Sequence, residues 1–106
     1  MFGSAHRPTA VFTANDNLAL GIITAAHQRS LSVGGDVALV GYNDVPLAHL
    51  LPVPLTSVRT PFDQIAATAV DLMLSPTPIN DPIRRAMPTL IPRRSSGPPV
   101  VGTGRR

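Results

Sequence analysis

Apolar and polar positions along the chain fall into segments with two different periods. Thr9–Ala14 is a short apolar run that stops on the small polar residues Asn15 and Asp16 and predicts a buried strand. The residues after it change period: Leu18, Ile22, Ala25 and Ala26 share one helical face. Asn15 or Asp16 supplies the N-cap, and Arg29 complements the far end of the helix. Gly34-Gly35 allows a reversal into a second apolar strand, Val37–Tyr42, which ends on Asn43-Asp44. Two strands joined by a helix make a βαβ unit, with parallel strands and a right-handed crossover. Both polar ends, Asn15-Asp16 and Asn43-Asp44, then lie on one edge of the sheet, where open α/β sheets hold ligands.

The pattern continues less regularly. Val45–Pro54 is irregular yet carries Val45, Leu47, Leu50, Leu51 and Val53, side chains that need cover from this chain or a partner. Leu55–Thr60 alternates as a strand. Thr60-Pro61 opens a second helix, with Pro61 at the first helical position and Asp63 completing a weak capping box. Phe62, Ile65, Ala66, Ala69, Leu72 and Met73 form its apolar stripe, and Pro76 and Pro78 end it. Thr89–Ser95 reads as a short strand that Pro92 confines to an edge or a bulge. Met1–Arg7 reads as a frayed end and residues 97–106 as a disordered tail.

Composition narrows the function. One small domain fits within 106 residues, burying about two-thirds of its unfolded surface. With no cysteine, disulfides, thiol nucleophiles and cysteine zinc sites are excluded. No apolar segment marks a signal peptide, and no run reaches the roughly 18 residues of a membrane span; a cytoplasmic chain with no membrane partner is expected. Nine arginines against six aspartates leave +3, with no lysine or glutamate, so the high pI of 11.1 needs no dense basic face. The pairs Arg84-Arg85, Arg93-Arg94 and Arg105-Arg106 lack interleaved aromatics and read as solvated surface or tail.

Candidate chemistry is binding. His6, His27 and His49 are isolated, so no metal site is expected. No nucleophile elbow and no dinucleotide loop is present, and neither catalysis nor a cofactor is expected. Asn15 and Asn43 offer a donor and an acceptor in one plane, which suits sugar hydroxyls or a base edge. Asn15 equally suits a helix cap, and Asn43 a turn; Asp16 and Asp44 read as cap and turn.

These residues resemble the lactose-repressor/galactose-repressor family of bacterial transcription regulators. The matching pieces are Pro8–Phe12 with Ala14–Asp16 and Ala19–Gly21, then Asp36–Asp44, Pro54–Arg59, the helix from Pro61 to Leu74, and Leu90–Ser96. Order and spacing agree over residues 8–96. The resemblance implies an α/β chain with a partial, truncated periplasmic-binding-protein-like (type I) fold around a parallel βαβ core. Residues 1–57 would belong to the C-terminal effector-binding subdomain, residues 58–87 would cross to the N-terminal subdomain as a strand and helix, and residues 88–96 would return as a strand. It further implies effector contacts at Asn15, Asn43, Thr60 and Ile65, and a homodimer surface at Leu20, Leu47, Leu50 and Leu51. The effector would be a small sugar or nucleoside-like molecule, and operator DNA would be bound only through an N-terminal head missing from this chain. Asn43 replaces the family's frequent aspartate, which removes a charge-assisted contact. Gly34-Gly35 replaces a proline and an acidic residue at a turn. The alternatives are a sugar-binding component of a transporter, sharing the fold, and a truncated remnant without independent activity.

Overall fold

The computed structural model describes residues 2, 3 and 5–97. The elements run β1 (Ala10–Phe12), α1 (Asp16–Gln28), β2 (Ala38–Asn43), a 3-10 turn at Pro46–Leu50, β3 (Thr56–Arg59), α2 (Phe62–Met73), β4 (Thr89–Ile91) and a 3-10 turn at Arg94–Ser96. The four strands lie side by side in sequence order. β1 pairs parallel with β2, with Phe12 opposite Val40, and β2 pairs parallel with β3, with Asn43 opposite Arg59. β4 closes the far edge antiparallel, with Val58 opposite Leu90. The fold is thus mixed α/β with a parallel βαβ core, as the two strand–helix periods predict. Pro92 follows β4 directly, at an edge where its missing N–H breaks no ladder.

The core lies between α1 and one face of the sheet. Ala19, Leu39, Ala48 and Leu55 are its centre, with Val11, Ile22, Ile23, Val33 and Leu51 packed around them. A second cluster joins Phe2, Ala26 and Val37. The N-terminal segment therefore does not simply fray: Phe2 is buried with Ala26 of α1 and with Val37, the residue before β2. Residues 98–106 of the expected tail lie outside the described residues.

α1 buries a different face from the one its largest apolar residues suggest. Leu18 is 55% exposed, while Ala19 and Ala26 are wholly buried. Alanine at these positions lets the helix axis come close to the sheet, and Gly41 completes the approach. A Cβ there would overlap Asp16 Oδ1 and crowd Leu55. Gly34 takes φ +93, and a Cβ there would meet the Arg94 carbonyl, so the reversal before β2 needs glycine. β1 is not the buried strand expected, because it forms a sheet edge and leaves Phe12 exposed.

The two ends of the sheet are held differently. At the start of β2 and β3, Ser95 is fully buried; its hydroxyl donates to Leu39 O at 2.6 Å and accepts from Thr56 N at 2.7 Å. The Arg94–Ser96 turn thus plugs the edge opposite the polar strand ends. α2 buries no residue. Its predicted apolar stripe forms, but Phe62, Ile65 and Met73 stand exposed.

Candidate functional site

Three parallel strands end on the same edge, and each delivers a polar residue there. Past β1, Thr13 donates its hydroxyl to Val40 O at 3.1 Å and Asn15 O at 2.9 Å, fixing the path to Asn15. Asn15 is the N-cap of α1: its Oδ1 accepts from Leu18 N at 2.8 Å. That is the structural alternative for this residue, and it occupies one oxygen while the amide NH2 makes no hydrogen bond among the described residues. β2 ends on Asn43, and β3 leads through Arg59 to Thr60.

Asn43 and Thr60 meet directly. The Thr60 hydroxyl donates to Asn43 Oδ1 at 3.3 Å. The capping box expected at Thr60 does not form; Pro61 is the residue that precedes α2, and no side chain caps the helix. The reason is the strand register, which sets Asn43 opposite Arg59 and brings Thr60 beside Asn43 before α2 begins. A groove of about 430 Å³ opens here, running from Asn43 and Asp44 past Arg59 and Thr60 to Phe62 and Gln64.

Ile65 falls elsewhere. It borders a smaller groove of about 180 Å³ between α2 and the loop that carries Pro82, Arg84 and Arg85. Of the four expected effector contacts, Asn43 and Thr60 share one groove, Asn15 stands on the same edge at the end of the neighbouring strand β1, and Ile65 borders the other groove. Of the expected dimer residues, Leu47 and Leu50 are exposed, Leu20 is half-buried, and Leu51 packs against the core beside Leu55.

The acidic neighbours of the two asparagines do more than cap and turn. Asp16 is buried and does not cap α1. It accepts from Val45 N and from Ser57 Oγ, both at 2.8 Å, tying the start of α1 to the chain beyond β2 and to β3. Ser57 Oγ also accepts from Asp44 N at 2.9 Å. The Asp44 side chain is 4% exposed and bears two arginines: Arg93 Nη1 on Oδ1 at 2.6 Å, and Arg59 Nε and Nη2 on Oδ2, both at 2.8 Å. Arg93 Nη1 also donates to Leu55 O at 2.7 Å. The Arg93 guanidinium beside Asp44 holds its carboxyl below the ordinary range, Arg59 adds to the effect, and burial opposes it. Arg93 is therefore no solvated arginine: its side chain is 13% exposed. Sequence reasoning missed this cluster because Arg93 lies 49 residues beyond Asp44. The one available signal was Arg59, a charge at the end of an alternating strand.

Polar side chains gather at the carboxyl edge of a parallel sheet, beside an open groove, at the edge where open α/β sheets hold ligands. Residues 2–96 match the family model described as periplasmic binding protein-like domain. The chain belongs to that family, in its lactose-repressor/galactose-repressor branch. It is similar to the lactose operon repressor of Rhizobium radiobacter, 44% identical over 68 residues, which are 64% of this chain and 60% of that protein. It is also similar to the ribose operon repressor of Escherichia coli strain K12, 36% identical over 95 residues, 90% of this chain and 26% of that one. Among solved structures, the lac repressor dimer bound to operator and the anti-inducer ONPF aligns with a TM-score of 0.84 at 31% identity, covering 92% of this chain and 30% of that one. The chain thus spans less than two-thirds of the length of these relatives. These relatives are transcriptional repressors, not enzymes, and among the described residues no helix is long and apolar enough to cross a membrane.

Proposed function

We propose that this chain is the effector-sensing portion of a transcriptional regulator, and that a sugar or nucleoside-like molecule binds at the carboxyl edge of β1–β3. The observation that carries the reading is the meeting of Asn43 and Thr60 at that edge, with a groove open beside them. Their hydroxyl and amide groups can reorganise to take vicinal hydroxyls, each both donating and accepting. Asn15 extends the same edge with its free amide NH2. Phe62 offers an apolar surface to the groove.

The exposed stripe of α2 supports a division of the chain. Residues 1–57 form the C-terminal effector-binding subdomain, residues 58–87 are lent to the N-terminal subdomain, and residues 88–96 return. Ile65, bordering a separate groove in this chain, contacts effector once that second wall is in place. Leu20, Leu47, Leu50 and Leu51 contribute to a homodimer surface, Leu51 from its seat on the core. Operator DNA is bound by a head outside this chain, in the cytoplasm, and the chain itself catalyses nothing. The relatives' being repressors favours this role over a transporter component.

Calorimetric titration of the regulator that carries this sequence, with D-ribose, lactose and adenosine as probes, tests the reading. The parent should bind one of them, and Asn43→Ala should weaken that binding by about 1–3 kcal/mol, the loss when a buried polar partner goes unsatisfied. Equal binding by parent and variant would remove Asn43 from the site.

A further inference from the structure

Asn43 and Asp44 are consecutive residues that both take positive φ, +99 and +56, at the end of a strand. Left-handed backbone disfavours side chains bearing a Cβ, so two such residues in succession persist only where their surroundings over-determine them. Among the described non-glycine residues only Ser30 shares a positive φ. The surroundings of Asp44 supply the determination. Its N–H is bound by Ser57, one carboxylate oxygen by Arg93 and the other by Arg59.

The two arginines are placed tellingly in the chain. Arg59 is the last residue of β3, one residue before Thr60, on the connection that leads out to α2. Arg93 stands two residues after β4, where the chain has come back from that excursion. Arg93 is itself anchored: Thr56 Oγ1 accepts from Arg93 N at 2.7 Å and donates to Arg93 O at 3.0 Å. One carboxylate therefore joins the outgoing and returning connections of the sheet to the residue adjoining Asn43.

We infer that Asp44 is a positioning residue of this site: clamped between Arg59 and Arg93, it holds the strained Asn43-Asp44 turn so that Asn43 faces Thr60. It acts on the site through Asn43. It deepens the effector-binding reading above by naming what aims Asn43 and what links its aim to both connections. Arg93, nearly buried and anchored on β3, is the fixed arm. Arg59, 56% exposed, is the adjustable arm. A shift in the path to α2 moves Arg59, and with it the hold on Asp44.

Nuclear magnetic resonance of the full 106-residue chain reads this directly, through the amide signals of Asn43 and Thr60 and the one-bond Cα–Hα coupling of Asn43, which separates positive from negative φ. Asp44→Asn keeps the size and removes the charge. Both amides should shift and the Asn43 coupling should leave its positive-φ value, while the amides of Leu39 and Ser95 stay in place. Asp44→Gly separates charge from strain, since glycine occupies positive φ freely. Loss of the Asn43 signature there too supports the clamp; its retention shows that backbone preference alone sets the turn and overturns the inference. If the Asp44 variants do not fold, Arg59→Gln decides. It should move the same two amides, with Arg59→Lys moving them less, and unmoved amides overturn the inference. Calorimetric titration of the intact regulator with D-ribose, lactose or adenosine tests effector contact separately. Absence of binding by every probe there counts against the effector reading, while displaced amides in the variants still uphold the clamp.

Discussion

Single residues in this chain carry polar work out of proportion to their size. Ser95 satisfies a carbonyl of β2 and an N–H of β3 with one hydroxyl, at a position with no access to water. Ser95→Ala leaves both groups unpaired and should cost about 1–3 kcal/mol of stability, read as a fall in the urea midpoint. An unchanged midpoint would show that neighbouring groups or water replace the hydroxyl. Asn15 and Asn43 look alike in the sequence, each opening a strand end onto Asp. The structure separates them: Asn15 Oδ1 is committed to a helix N–H, and Asn43 Oδ1 faces a threonine hydroxyl in a groove. Cap chemistry is local and readable, since it needs only the turn of helix that follows. The contact between Asn43 and Thr60 spans 17 residues and depends on how β2 and β3 align.

At the scale of elements, charge binds the sheet to its connections. Asp44 has a depressed carboxyl, so its ion pairs stabilise the fold above the ordinary carboxylate range and that contribution fades as pH falls through the lowered value. Asp36 acts in the same direction: the Ser32 N–H, then the Ser32 hydroxyl, hold its carboxyl down at the turn before β2. Urea midpoints measured from neutral pH to below about pH 4 should therefore fall in acid. Asp44→Asn should lower the neutral-pH midpoint and flatten the acid fall, while Asp36→Asn should flatten it less, its carboxylate being exposed to solvent. An equally steep acid fall in Asp44→Asn would place the titration elsewhere. The helices divide at this scale as well. α1 lies on the sheet through alanines and Gly41, whereas α2, with the more conspicuous apolar stripe, buries none of its residues. Amphipathic periodicity predicts a helix that needs a partner; it does not say where the partner is.

The whole molecule is extended. Its radius of gyration is 18.3 Å and its longest dimension 59 Å, against about 13 Å for the radius of a compact chain of this size. α2 adds no buried residue to the core. The apolar loop after β2 splits between two fates. Ala48 and Leu51 close over the core, while Leu50 is 67% exposed beside an exposed Leu47. If that outer pair lies in a homodimer interface, Leu50→Asp in the intact regulator should yield monomers in sedimentation, since an unpaired charge in a buried interface costs several kcal/mol. A dimer that sediments unchanged would remove Leu50 from the interface.

The sequence alone determined the βαβ unit, the common polar edge of its strands, a cap at Asn15 or Asp16, the Arg29 end of α1 and the glycine turn at Gly34. Each follows from a 2- or 3.6-residue period or from backbone preferences within a few residues, and these act wherever the chain is placed. Tertiary structure decided which face of α1 is buried, that Asp16 ties three segments together instead of capping, and that Thr60 answers Asn43 instead of its own helix. It also decided that Asp44 and Arg93, 49 residues apart, form one cluster. Such pairings answer the need of buried polar groups for partners, and strand register sets which partner arrives. No local period encodes that choice.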